Sequence, residues 1–191
     1  MNTLYPIFLK TENFQILIVG GGNVALEKVS LLLKSSPEAN VTVVAMEMSD
    51  EIRSTVDGRQ STVLIEKTFE ESDLDDKQLV IAATDDKELN KQIYEAAKSR
   101  KILINVADTP ELCDFYLGSI VTKGELKISI STNGQSPTLS KRLREFFEAV
   151  LPDNLNDLIL HLNEYRNSIG DNLKERVSKL NELTKSFLNE K

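Results

Sequence analysis

The sequence is poor in the groups that hold metals or cross-link a chain. Its 191 residues include one cysteine, Cys113, and one histidine, His161. A single cysteine excludes an internal disulfide and fits a reducing compartment. With no second Cys or His beside either residue, no Cys/His metal set is visible. Positive charge is also short. The 23 Lys and Arg stand against 30 Asp and Glu, a formal net charge of −7. That balance argues against general nucleic-acid binding, and any anionic ligand would need a local basic patch. No apolar run approaches the ~18 residues of a membrane span. Leu4–Leu9 is too short, and lacks the basic flank, to be a signal peptide. A cytoplasmic protein with neither nucleic acid nor membrane as partner is therefore expected. Internal repeats and low-complexity segments are absent as well. What remains is an ordinary globular composition, 40% hydrophobic and 28% charged. The length allows one good core plus an appendage.

The stretch Ile16-Leu17-Ile18-Val19-Gly20-Gly21-Gly22-Asn23-Val24-Ala25 organises the rest. Four aliphatic residues without a polar break read as a strand buried on both faces of a parallel sheet. Three glycines stop it, and a helix-compatible run follows from Asn23 to Lys34. Strand, glycine turn and helix open a dinucleotide-binding βαβ unit. Gly20 permits the tight turn, Gly22 lets the backbone approach a pyrophosphate, and Ala25 keeps the helix close to the sheet. The N–H groups of the first helical turn then face the phosphates. The competing reading is a glycine turn that only packs a helix onto a sheet.

Further strands are predicted at 41–45, 62–65, 79–83 and 102–106. Helices are predicted from Ser49 to Gly58 and over 87–100. Alternation at this spacing predicts an α/β fold with a Rossmann-like parallel sheet. Before it, Leu4–Leu9 reads as an apolar lead-in that Pro6 restricts to edge pairing. The rhythm changes near residue 110. Ser119–Val121 and Leu126–Ser131 predict a hairpin about Lys123-Gly124. Ser136-Pro137 then opens a helix with Leu139, Leu143, Phe146, Phe147 and Val150 on one face. Beyond Pro152 the chain reads as helical. Leu155, Leu158, Ile159, Leu162, Tyr165 and Ile169 form one apolar stripe. Leu173, Val177, Leu180, Leu183 and Phe187 form a second, past Gly170-Asp171. Such stripes must be buried, either in a second subunit or as an intrachain cap. The expected organisation is a nucleotide-binding domain over 1–113, a dimerisation region over 114–150 and a helical domain over 151–191.

In such folds ligands sit beyond the carboxyl ends of the strands. There the chain has Gly20–Val24, Ala45-Met46-Glu47, Ala83-Thr84-Asp85 and Asn105–Asp108. The acid that commonly ends the second strand is replaced by Met46, with Glu47 one step on. No Lys or Arg stands there for a 2′-phosphate and Glu47 would repel one, so NAD is expected over NADP. Thr84 and Asp85 are candidates for the nicotinamide ribose, although Asp85 or Asp86 serves equally as a helix cap. Asp108, directly after the fifth strand, is a candidate general acid or base; the alternative is a turn aspartate before Thr109-Pro110. His161 reads as a surface or core residue and Cys113 as a small packed one. Lys141, Arg142 and Arg144 read by default as a solvated helix face, although such cations suit a polycarboxylate.

Together these motifs resemble the precorrin-2 dehydrogenase/sirohydrochlorin ferrochelatase family, including the N-terminal part of sirohaem synthases. The resemblance covers Leu4 to about Leu151. It rests on Tyr5-Pro6-Ile7-Phe8, Ile18–Ala25 with Lys28, Ala82–Asp86, Asn105-Val106-Ala107-Asp108, Ile128–Gly134, and Ser136-Pro137 with Arg142-Leu143-Arg144. Beyond Pro152 only the helical character matches. The resemblance implies NAD-dependent oxidation of precorrin-2 to sirohydrochlorin. In some members it also implies insertion of Fe²⁺. The family's functional aspartate falls on Asp108, and its NAD contacts fall on Asn23, Val24, Met46 and Glu47. Its members are intertwined homodimers. In some members a serine in the loop before the Ser-Pro helix is a regulatory phosphorylation site; here that position is Thr132, which argues against regulation of this kind. No chelatase-specific ligand set is visible, which leaves a dehydrogenase, a bifunctional dehydrogenase–chelatase, or a non-enzymatic NAD-binding redox sensor.

Overall fold

The structure, a computed structural model, describes residues 2–169 and 172–185. The chain divides into two compact units. One runs from the N-terminus to Leu117 and includes Ser131–Ser136; the other comprises Gly118–Ile130 and the chain from Pro137 onward.

The first unit is the expected α/β layer structure. Its strands are β1 (Gln15–Val19), β2 (Asn40–Ala45), β3 (Thr62–Glu66), β4 (Leu79–Ala82) and β5 (Leu103–Val106), all parallel, in the order β3-β2-β1-β4-β5. Helices α1 (Asn23–Ser35), α2 (Asp50–Val56) and α3 (Lys87–Ser99) connect them. Alternate side chains of the strands feed two cores. Ile16, Ile18, Val41, Val43 and Ile81 meet Ala25, Val29 and Leu33 of α1 and Ile52 of α2. Leu17, Val19, Val44, Val80, Ile104 and Val106 meet Ile93, Ala96 and Ala97 of α3. Burial on both faces explains why β1 and β4 read as unbroken aliphatic runs rather than alternating ones. Ser49 caps α2 by accepting from the Ile52 N–H. Asp86 caps α3 by accepting from the Glu88 and Leu89 N–H groups.

The Leu4–Leu9 lead-in, which Pro6 restricts to edge pairing, forms no strand, and Tyr5, Ile7 and Phe8 are exposed, Tyr5 at 86%. Val24, at the start of α1, is also exposed. It sits in the first turn, where the helix has only begun to pass over the sheet.

The second unit contains the hairpin β6 (Ser119–Lys123) and β7 (Leu126–Ile130), then α4 (Pro137–Val150), α5 (Leu155–Ser168) and α6 (Leu173–Thr184). Lys123 pairs with Leu126, so the connecting residues are Gly124-Glu125, one position later than predicted. Gly124 has φ +55°, and a Cβ there would run into Asn156. Asn156 in turn accepts the Glu125 N–H at 3.0 Å, and Lys123 pairs with Asp153 at 2.6 Å. Phe187 and Gly170-Asp171 lie outside the described residues. Among the described residues no helix is long and apolar enough to cross a membrane.

Candidate cofactor site and its neighbours

Parallel strands deliver all their carboxyl ends to one edge of the sheet. The chain passes from β1 outward through β2 to β3, then returns to β4 on the other side of β1. The glycine turn after β1 therefore stands where the strand order reverses, the usual ligand crevice of such sheets. Gly20 has φ +134°, and a Cβ there would collide with the Ala83 carbonyl at the end of β4. At Gly21 a Cβ would collide with the Glu47 carbonyl just after β2, and the Gly21 carbonyl accepts the Ser49 N–H at 3.0 Å. Sequence reading assigned no task to Gly21; its need for close approach depends on a partner 26 positions away, which no local motif reveals.

Gly22 is different. It is extended, and nothing lies within 4 Å of where its Cβ would be. It is also the N-cap of α1, so no side chain covers the first N–H groups of that helix, whose ladder begins with the Leu26 N–H on the Gly22 carbonyl. Asn23 and Val24, both exposed, contribute the uncovered N–H groups. This side-chain-free cradle at a helix N-terminus fits a dinucleotide's pyrophosphate.

Met46 is 74% exposed and Glu47 is exposed beside it, beyond β2 and next to the glycine turn. After β4, Thr84 is locked by Asn90, a buried residue of α3. Asn90 Nδ2 donates to the Thr84 carbonyl at 3.0 Å, and the Thr84 hydroxyl lies 2.7 Å from Asn90 Oδ1. The same hydroxyl lies 3.1 Å from the Asp86 carbonyl, so its one hydrogen is taken up within the turn and its oxygen is left as an acceptor. Asp86 is the helix cap, which leaves Asp85 exposed and clear of that task.

After β5, Asp108 is exposed and holds φ +56°, the left-handed region that side-chain-bearing residues rarely enter. Cys113 is half-buried, and its thiol sits within hydrogen-bonding distance of the Val106 and Thr109 carbonyls. Burial pushes that thiol above its ordinary pKa, as a packed rather than a reactive cysteine requires. His161 is exposed on α5. Among the described residues no group of three His, Cys, Asp or Glu is placed to hold a metal ion.

The structure thus brings Gly20, Gly22, Asn23, Val24, Met46, Glu47, Thr84, Asp85 and Asp108 to one edge of the first unit. Lys141, Arg142 and Arg144 belong to the second. There Arg142 pairs with Glu145 at 2.7 Å and Arg144 with Glu148 at 2.8 Å, so the helix offsets much of its own positive charge. Arg142 also holds the Glu145 carboxyl below its ordinary range.

A family model described as putative NAD(P)-binding matches residues 7–119, the span that folds into this sheet and its turns. The chain belongs to that family. A second model, described as sirohaem biosynthesis protein central, matches residues 123–149 of this NAD(P)-binding family member. Among similar proteins, sirohaem synthase from Psychrobacter cryohalolentis is 38% identical over 88% of this chain and 32% of its own length. That of Tolumonas auensis is 37% identical over 95% of this chain and 38% of its own. That of Pseudoalteromonas atlantica is 41% identical over 86% and 35%. The chain therefore spans about a third of the length of these relatives. Among solved structures, SirC, a precorrin-2 dehydrogenase, superposes with a TM-score of 0.77 over 94% of this chain and 89% of its own. At 24% identity, that likeness establishes a common fold.

Proposed function

We propose that this chain is an NAD-dependent precorrin-2 dehydrogenase that works as a homodimer. The observation that carries the reading is Asp108: an exposed carboxylate, directly after β5, at the same sheet edge as the pyrophosphate cradle. The sirohaem synthase relatives and the resemblance of the motifs support the choice of substrate. Conversion to sirohydrochlorin removes two hydrogens from the macrocycle, one as hydride and one as a proton. NAD⁺, when bound, supplies the hydride acceptor. The chain's own groups do the rest. Asn23 and Val24 hold the pyrophosphate, Met46 and Glu47 flank the adenosine, and Thr84 and Asp85 meet the nicotinamide ribose. The Asp108 carboxylate takes the proton. Glu47 beside the adenosine favours NAD over NADP by like-charge repulsion of a 2′-phosphate.

Residues 1–113 form the cofactor domain in this reading, 114–150 the dimerisation region and 151–191 a helical domain. Exposed Leu139, Phe146 and Val150 on α4 support a subunit contact in that region. Lys141, Arg142 and Arg144 attract the substrate's carboxylates, with Lys141 leading because the two arginines already have glutamate partners. The protein is read as cytoplasmic.

The test is an anaerobic assay of the purified chain with precorrin-2 and NAD⁺. NADH formation that Asp108→Ala abolishes, with NAD⁺ binding retained, is the expected result. NAD⁺ binding without turnover would overturn the reading in favour of a redox sensor. A second arm with sirohydrochlorin and Fe²⁺ measures iron insertion against a protein-free control and separates the bifunctional alternative.

A further inference from the structure

The turn that carries Asp108 is closed from its two legs. β5 enters it through Asn105 and Val106, and the chain returns alongside at Cys113–Phe115. Asn105 is only 7% exposed, an unusual place for a carboxamide in a parallel sheet. Its Nδ2 donates to the Phe115 carbonyl at 2.8 Å and lies 3.4 Å from Cys113 Sγ. That sulfur also accepts the Val106 N–H at 3.3 Å. Further down the same legs, the Asp114 N–H donates to the Ile104 carbonyl at 2.8 Å. The Asp114 carboxylate accepts the Ile104 N–H at 3.2 Å and pairs with Lys98 at 2.6 Å. Asp108 stands between the legs at φ +56°, in the left-handed region that aspartate enters more readily than most side-chain-bearing residues.

We infer that Asn105 is a positioning residue for Asp108. Its carboxamide ties the outgoing leg of the turn to the returning one and so fixes where the Asp108 carboxylate points. Asn105 does not face the substrate; it acts through the turn. Phe115, whose carbonyl it holds, and Ala107, next to Asp108, both pack against the core of α1 and β1. The tie therefore references the turn to the layer that carries the glycine cradle. The inference rests on the proton-accepting role proposed for Asp108.

A double-mutant cycle tests it. Asn105→Leu removes both donor contacts at similar volume, and Asn105→Ser removes the reach to Phe115 while staying polar. Each is expected to lower kcat for precorrin-2 oxidation by about 10- to 100-fold, the scale on which a small misplacement acts. The KM for NAD⁺ should stay within two-fold. Combined with Asp108→Asn, neither substitution should lower kcat further, because the group it positions is already lost. A merely structural Asn105 would give losses that multiply in the double variants, or a loss of NAD⁺ binding in parallel with kcat; either result overturns the inference. So does unchanged kcat in both Asn105 variants beside a crippled Asp108→Asn. Full activity of Asp108→Asn instead overturns the role of Asp108, and the inference falls with it. Should Asn105→Leu not accumulate as folded protein, Asn105→Ser carries the same cycle.

Discussion

The two units bury their apolar surface to different extents. In the first, the inner strands are covered on both faces and the aliphatic residues of β1 are all but inaccessible, while Val63 and Leu103 on the edge strands and the Leu4–Leu9 lead-in stay exposed. In the second, Leu139, Phe146 and Val150 of α4, Tyr165 of α5, and Leu173, Val177 and Leu183 of α6 remain exposed, and among its described hydrophobic residues only Val121 and Ile169 are buried. A parallel βαβ sheet brings its own cover, since each crossover helix lies on the strand pair it connects. A hairpin with amphipathic helices does not. Its exposed apolar faces are the ground on which the dimer is proposed.

That contrast can be broken most severely at the chemistry. Asp108→Ala should lower kcat about 10²- to 10⁴-fold, the usual range for a general base, while NAD⁺ binding by the intact cradle persists. Comparable binding and rate losses together would show instead that the two ends of the sheet edge are not separable. Next in size is the self-sufficient core. Leu17→Ala should cost about 2–5 kcal/mol in urea or thermal unfolding, because its surroundings are fully packed. Gly22→Ala makes a finer cut. Its Cβ has room, so unfolding should be nearly unchanged, whereas NAD⁺ binding measured by calorimetry should weaken as the methyl enters the cradle. If the methyl leaves affinity untouched, the pyrophosphate does not lie over Gly22.

Phe146→Ala sharpens the other side of the comparison. Within the chain it removes a partly exposed ring and its edge-to-face contact with Phe147, and should shift unfolding by about 0.5–1.5 kcal/mol. Its effect should appear as a concentration-dependent shift toward monomer in sedimentation. A sedimentation profile identical to the parent's would place the dimer contact elsewhere. The smallest effect belongs to Glu145. Arg142 depresses its carboxyl, so the pair adds stability above the unfolded-state pKa of about 4.3, and this is lost as pH falls through the lower folded value. Glu145→Gln should remove that acid-side dependence with little change at neutral pH; a steeper acid transition in the variant would refute the pairing.

Much of the first unit was legible because its signals are local. Aliphatic runs bounded by glycine or aspartate gave the strands, and Ser49 and the aspartates after Thr84 marked the helix starts. The strand ends in turn located the candidate site. The turn-to-turn contacts were not legible. Gly21 against Glu47, Asn90 on Thr84 and Asn105 on Phe115 each join segments whose proximity no spacing rule states.

Hydrophobic period and glycine placement by themselves determined that this chain builds a parallel sheet with a nucleotide turn on its central strand. Those are properties of consecutive residues and their backbone freedom. Tertiary structure alone decided which glycine is crowded and which is open, what surrounds the Thr84 hydroxyl, and what ties the two legs of the Asp108 turn together. Each depends on carbonyls and amides brought together only when distant strands lie side by side.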